Sequence, residues 1–287
     1  MQKIVKRPSK FYSPLRYPGG KAKLSEFLSK VIDYNNLGGC TYIEPYAGGA
    51  GAALTLLILE KVDRIVINDF DKAIYSLWDL LVNNHELLIK KIRDTEISIE
   101  EWKRQRELYQ DSDSSKEDLG FATFYLNRSN HSGIIEGRPV GGFDQSSEWG
   151  IRARFKKEPL IERINKIAFY RSRIDVTNQD GINLMNELEG RDECILFYID
   201  PPYYVKGSSL YLNSYKASDH KSLANFLNNN KNLNWILTYD NVSEISELYE
   251  NRSTRTFNIN YSANTHREAK ELMVYSNSIS LPLKYIE

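Results

Sequence analysis

The chain has 287 residues, and 38 Lys and Arg are matched by 38 Asp and Glu, so the formal net charge is +0. That balance excludes a simple polybasic binder, and any nucleic-acid surface must come from local asymmetry. Cys40 and Cys194 stand far apart and suggest neither a disulfide framework nor a zinc cluster, and no run of about 18 apolar residues is present. Residues 1–10 are polar and basic without an apolar signal segment. The expectation is a cytoplasmic protein with length for one large or two modest domains.

In chain order, the first informative stretch is Leu15-Arg16-Tyr17-Pro18-Gly19-Gly20-Lys21. A glycine turn there feeds a helix bearing Leu24, Phe27, Leu28, Val31 and Ile32 at helical spacing. With Lys21 beside it, that helix start would favour a carboxylate or phosphate. Residues 41–44 read as a short strand running into Glu44-Pro45-Tyr46-Ala47-Gly48-Gly49-Ala50-Gly51 and an apolar helix near 52–59. This arrangement lets a nucleotide-like ligand approach the backbone at the edge of a parallel sheet. The glycines at 48, 49 and 51 miss the G-x-G-x-x-G spacing, which lowers a dinucleotide reading. A second strand, 64–69, ends in an acid, Asp69, and an acid at that place suits ribose hydroxyls or a helix cap.

Between about residues 83 and 157 the strand and helix alternation breaks down. Residues 102–108 and 121–128 read as helical, 111–118 as a polar spacer, and 127–142 as a loop dense in polar side chains and glycine, the kind that carries recognition. It leads into eight basic residues between Arg152 and Arg173, set against Glu158 and Glu162 only. The sheet pattern then resumes with a strand at 172–176, an exit at Gln179-Asp180 and a helix at 182–188. Helices are expected at 219–229 and 242–249, a strand at 234–239, and paired terminal strands at 254–260 and 271–276 around a polar loop.

The central stretch is Leu196-Phe197-Tyr198-Ile199-Asp200-Pro201-Pro202-Tyr203-Tyr204. Residues 194–199 read as a buried strand, and Asp200 stands at its end. Pro201 and Pro202 remove donors and stiffen the exit, so its carbonyls stay available as acceptors. Asp200 and those carbonyls could hold one exocyclic amino group, with the Tyr203 ring offering a stacking face. An amine held by both hydrogens is drawn toward the pyramidal geometry in which its lone pair is a nucleophile.

Tyr17 to Lys21, Glu44 to Gly51, Asn68-Asp69, Asn127-Arg128 and Asp200 to Tyr203 occur in an order that resembles the Dam-type (alpha-group) DNA adenine-N6 methyltransferase family, over nearly the whole chain. The resemblance implies an α/β fold: a Rossmann-like class I methyltransferase core with a mostly parallel sheet and an antiparallel last strand. Residues 1–82 and 158–287 would form that core, and 83–157 an inserted, mainly helical target-recognition subdomain. It implies S-adenosylmethionine as cofactor, contacted by Tyr17, Lys21, Glu44, Gly48, Gly49, Gly51, Asp69, Asp180 and Asp200. Asp200, Pro201, Pro202 and Tyr203 would be catalytic and no metal is required. The partner would be double-stranded DNA, with the adenine flipped out and the gap filled by His131.

By the same resemblance Arg16, Asn127, Arg128, His131, Ile134, Glu136 and Arg138 would serve DNA binding, and Arg16 would contact a guanine. Glu136 is a departure: it stands where GATC-specific members carry a base-reading arginine, and it would accept from cytosine N4. A register shift to Arg138 restores a donor. The expectation is a guanine-containing site read by Arg16 and residues 134–138, in a monomer, with a cognate restriction endonuclease as a candidate partner. The rivals are methylation of RNA or of a protein glutamine, whose families usually carry Asn-Pro-Pro-Tyr, and a DNA-binding regulator that has lost the chemistry.

Overall fold

The computed structural model describes residues 11–17, 21–191, 193–204, 215–261 and 267–282. Its strands are β1 (Thr41–Glu44), β2 (Arg64–Asn68), β3 (Ile174–Thr177), β4 (Ile195–Ile199), β5 (Trp235–Asp240), β6 (Ser253–Tyr261) and β7 (Arg267–Tyr275). They form one sheet in the order β3-β2-β1-β4-β5-β7-β6. The first five are parallel, and β7 runs antiparallel to both β5 and β6. Chain order reverses between β1 and β4, so the loops leaving those two strands diverge and open a crevice at their carboxyl ends.

Helices cover both faces, so strands such as Ile195–Ile199 are apolar at every position and buried throughout. Alternate residues go to opposite sides. Tyr42, Ile65, Ile67, Leu196 and Tyr198 pack with α1 (Ser25–Tyr34), α2 (Gly51–Ile58) and α3 (Lys72–Asn83). Ile43, Val66, Phe197 and Ile199 pack on the other side with Leu184 and Met185, Leu223 and Leu227, and Ile245. Those come from three helices that are labelled α8 (Gly181–Leu188), α9 (Ala217–Asn229) and α10 (Ser243–Leu248).

The stretch between α3 and β3 is helical: α4 (His85–Asp94), α5 (Ile99–Gln110), α6 (Lys116–Ser129) and α7 (Lys157–Phe169). Its apolar residues Leu88, Ile92, Trp102, Phe121 and Phe124 join the core on the α1 side of the sheet. Close approach makes this possible, since a Cβ at Gly120 would stand 2.5 Å from the Ser76 carbonyl oxygen of α3. This is the expected α/β fold with a mainly helical insert.

Several expectations are corrected. Helix α4 was not anticipated, and α6 begins inside the supposed spacer because Ser115 caps it by accepting from Asp118 N–H. Residues 267–270 of the supposed terminal loop are β7. The glycine turn at 18–20 and positions 205–214 of the loop after the Asp-Pro-Pro-Tyr motif lie outside the described residues. Cys40 and Cys194, distant in sequence, are neighbours: parallel register sets Thr41 beside Ile195, and Thr41 N–H donates to the Cys194 carbonyl at 2.9 Å. Burial first, and then the Cys194 thiol, push the Cys40 thiol up to about 12.

Candidate active site

The floor of the crevice is made by strand exits that Asn68 ties together. Fully buried, it donates to the carbonyls of Pro45 (2.8 Å) and Gln179 (2.9 Å) and accepts from Thr177 Oγ1 (2.8 Å) and Gln179 N–H (2.9 Å). Both donors and both acceptor sites of the amide are used, which locks the loops after β1, β2 and β3 to one another. The sequence reading took Asn68 only as part of a motif.

Above that floor the glycine loop turns sharply. Gly48 has φ of 47°, and Trp78 Nε1 donates to its carbonyl at 2.8 Å. The Tyr17 ring lies so close that a Cβ at Gly48 would meet its Cε1 at 2.5 Å, and one at Gly49 would meet its Cβ at 2.7 Å. Glycine is required here by both conformation and space. Asp69 holds the loop from the side, accepting from Gly48 N–H (2.9 Å) and Asp71 N–H (3.0 Å). The cap of α3 itself is Asp71, not Asp69. Glu44 accepts from Ala53 N–H at 2.9 Å, serving as the N-terminal cap that Ala50 cannot supply to α2. Asp180 caps α8 through Ile182 and Asn183. Burial pushes Glu44 up to about 8 and Asp69 up to about 7.

At the exit of β4, Asp200 meets Lys21, whose Nζ donates to Oδ1 at 2.8 Å, to Oδ2 at 3.0 Å and to the Tyr203 hydroxyl at 2.8 Å. Thr238 of β5 also donates to Asp200 Oδ1 at 3.0 Å and shares a 2.8 Å contact with the Tyr198 hydroxyl. The Tyr203 hydroxyl donates to Glu271 of β7 at 2.6 Å, and Glu271 stands 3.5 Å from Lys21 Nζ. Burial raises both carboxylates and Lys21 opposes that rise. Thr238 and Glu271 were missed at the sequence level, because nothing local marks a buried residue on a late strand as a partner of Lys21.

Two expectations change here. The Lys21 ammonium is committed to carboxylates, so it is not open to an anionic ligand. Tyr203 is 7% exposed, with Lys21 Nζ 5.1 Å from its ring centroid, so its ring is packed rather than presented as a stacking platform.

Lys21 and Asp200 of this cluster reach a cavity of about 540 Å³, a size suited to a nucleoside-sized ligand, while Thr238, Tyr203 and Glu271 are not among its described lining. Glu44, Asp69, Asp71, Glu136, Asp180, Asp200 and Asp219 line it, with Lys21 the one basic residue among its described lining. Such a charge balance disfavours phosphates and suits a cation carrying hydroxyl groups. Tyr17, Gly48, Gly49 and Gly51 lie on the same wall. No three His, Cys, Asp or Glu among the described residues are grouped as metal ligands, and no described helix is long and apolar enough to cross a membrane.

The insert closes the cavity from the far side with Tyr109, Gly133, Ile134, Ile135 and Glu136. Asn127 is fully buried and clamps the N-terminal segment: it accepts from Arg16 N–H (2.9 Å) and donates to the Arg16 and Gly133 carbonyls (3.0 and 2.8 Å). Arg128 is buried, donates to the carbonyls of Pro14 and Arg154, and is pulled down to about 9 by burial and by Arg16, Arg163 and Arg154. Neither side chain is presented to solvent, so the two hold the insert against the segment that precedes Lys21.

Asn130 fastens the loop that follows, accepting from Trp102 Nε1 and donating to the carbonyls of Ile134, Ile135 and Gly137. His131 N–H donates to the Arg138 carbonyl at 3.1 Å, so these two exposed residues stand together at the base of the loop. Glu136 is ion-paired with Arg106, which also donates to the Ile135 carbonyl at 2.9 Å. Glu136 also lines the cavity while staying exposed. Arg16 is half-buried and forms no ion pair among the described residues.

A sheet in this order, with an acid-rich crevice at its switch point and Asp200 and Pro202 of the Asp-Pro-Pro-Tyr motif lining it, has the architecture of an α/β methyltransferase. Residues 17–266 match the family model described as D12 class N6 adenine-specific DNA methyltransferase, and the chain belongs to that family of enzymes. Among solved structures it is similar to the rRNA methyltransferase aviRa from Streptomyces viridochromogenes, with 13% identity, coverage of 96% of this chain and 89% of that one, and a TM-score of 0.41. At that distance the likeness says nothing of substrate. No curated protein gives a match.

Proposed function

We propose that the chain transfers a methyl group from S-adenosylmethionine to N6 of an adenine flipped out of double-stranded DNA, at a specific sequence. The observation that carries this reading is the position of Asp200: at the open end of a buried strand, on the cavity rim, fixed by Lys21 and Thr238 and followed by two prolines. There its carboxylate stands as an acceptor at the edge of the cavity, where an exocyclic amine can reach it.

The residues fit the cofactor. A glycine cradle under Tyr17 has no room for side chains, and the wall is rich in carboxylates that suit a sulfonium, an ammonium and a ribose diol. Glu44 and Asp200 would face positive charge, Asp69 the ribose and Asp180 the adenine edge, with Gly48, Gly49 and Gly51 admitting the methionine part. When bound, the cofactor supplies an electrophilic methyl on a positively charged sulfur. The chain's own work is positioning: Asp200 and the Pro201 carbonyl orient the amine, and the proton leaves after nitrogen has gained the methyl, so no dedicated base is required.

Residues 83–157 would read DNA and the remainder would bind cofactor. Arg16, His131 and Arg138 would contact the duplex, with Asn127 and Arg128 acting through the backbone they hold. Flipping the adenine costs a few kcal/mol, offset by contacts of this kind. A guanine-containing site, action in the cytoplasm as a monomer, and a restriction-modification, phage or genome-marking role complete the reading.

The test is the purified protein with S-adenosylmethionine and either unmethylated DNA or RNA, followed by nucleoside mass spectrometry. N6-methyladenine in DNA alone, lost in Asp200→Ala, is expected. Methylation of RNA alone, or none with cofactor bound, would overturn the reading.

A further inference from the structure

Asp200 accepts from Lys21 through both oxygens, at 2.8 and 3.0 Å, and from Thr238 through Oδ1 at 3.0 Å. An amine that donates to Asp200 must share those oxygens with a buried ammonium. The conflict deepens during transfer, because positive charge grows on the attacking nitrogen while a fixed positive charge sits astride the same carboxylate.

A second acceptor lies within reach. Glu271 is 1% exposed, comes from the antiparallel strand β7, and places Oε1 3.5 Å from Lys21 Nζ. The Tyr203 hydroxyl already links the two, accepting from Lys21 at 2.8 Å and donating to Glu271 at 2.6 Å. Closing the 3.5 Å separation to a hydrogen bond with Glu271 therefore needs a displacement shorter than a covalent bond.

We propose that Glu271 is a positioning residue that takes over the Lys21 ammonium when Asp200 turns to the target amine. The ammonium stays paired throughout, Asp200 is freed at the moment its charge is needed, and Tyr203 keeps its hydroxyl anchored in both arrangements. The inference rests on the reading of Asp200 as the acceptor of the amine. It gives β7 a part in the chemistry that its distance in sequence from the other motifs conceals.

A purely structural role would be to accept from Tyr203, and a glutamine does that equally well. The experiment compares wild type, E271Q, E271A and E271D in single-turnover methylation of duplex DNA, with S-adenosylmethionine affinity, thermal midpoint and the pH profile of kcat as companion readouts. The expected result is a loss of ten-fold or more in kcat for both E271Q and E271A, with E271D recovering more activity than E271Q. Cofactor affinity in E271Q should be unchanged. Among the described residues, the titratable groups that act with Glu271 are Lys21, Asp200, Tyr203 and Tyr198, and removing its charge should move the acid limb of the E271Q profile to lower pH. A wild-type kcat in E271Q beside a slow E271A would leave only the hydrogen bond to Tyr203 and overturn the proposal. So would a loss confined to cofactor KM, or E271D no better than E271Q. Failure of the wild type to make N6-methyladenine would instead overturn the proposed function.

Discussion

The ammonium of Lys21 lies 2.8 Å from Oδ1 and 3.0 Å from Oδ2 of Asp200, a residue 179 positions away. With Glu271 at 3.5 Å, one lysine holds two carboxylates together, Asp200 on the cavity wall and Glu271 buried behind it. Removing it leaves them facing each other without a cation.

Lys21→Met should therefore destabilise the protein by about 3 kcal/mol, since Asp200 keeps some solvent contact while Glu271 does not. The two unpaired acids would hold raised values, so stability would be retained at low pH, where both are protonated, and lost as pH rises. Urea unfolding at an acidic and an alkaline pH checks this, with the larger deficit expected on the alkaline side.

Asn68 makes four hydrogen bonds among the exits of β1, β2 and β3. Asn68→Ala should cost about 3 kcal/mol by leaving buried carbonyls unsatisfied, and Asn68→Asp, which keeps the acceptors but not the donors, should also be destabilised. Shifts in denaturation midpoint at constant slope would register both, with weakened cofactor binding alongside.

Gly48 combines a φ of 47° with the nearby Tyr17 ring. Gly48→Ala should lose about 1–2 kcal/mol of stability through strain and bind S-adenosylmethionine at least ~10-fold more weakly, because the Tyr17 ring must be displaced from the loop it packs on. Calorimetric titration of the variant would show whether it does.

Glu44 at about 8 and Asp69 at about 7 are acids raised by burial, so their stabilising share is full in the acidic range and falls as pH rises through those values. A sulfonium favours ionised Glu44. Affinity for S-adenosylmethionine should rise between about pH 6 and 8 with release of a proton, and the rise should be smaller for its neutral thioether product. Calorimetry in two buffers of different ionisation enthalpy measures the proton directly.

The Arg106 and Glu136 pair fixes the loop that forms one wall of the cavity. Arg106→Ala and Glu136→Ala should each weaken methylation, and the double variant should be no worse than either alone. Additive losses in kcat/KM would mean that the two side chains act separately, with Glu136 reading a base.

Local pattern carried much of the fold because it needs only near neighbours. Leu24, Phe27, Leu28, Val31 and Ile32 mark the buried face of α1, and the unbroken apolar run of β4 marks a strand covered on both sides. Glycines at 48, 49 and 51 and the acids at strand ends were legible for the same reason. The insert was less so: α4 has no strong cap, and the start of α6 is hidden in polar residues.

What the sequence by itself determined was the order of glycine loop, helical insert and Asp-Pro-Pro-Tyr, since each is a contiguous run whose residue types dictate a turn, a helix, a strand end or an acceptor. Tertiary structure alone decided which side chains meet. It buried Asn127 and Arg128 as clamps, paired Glu136 with Arg106, brought Cys40 beside Cys194, and set Glu271 of β7 behind Lys21 and Tyr203. Those contacts join residues separated by up to 250 positions, from Lys21 to Glu271. They depend on strand order and register, which the packing of the whole sheet sets and no local window contains.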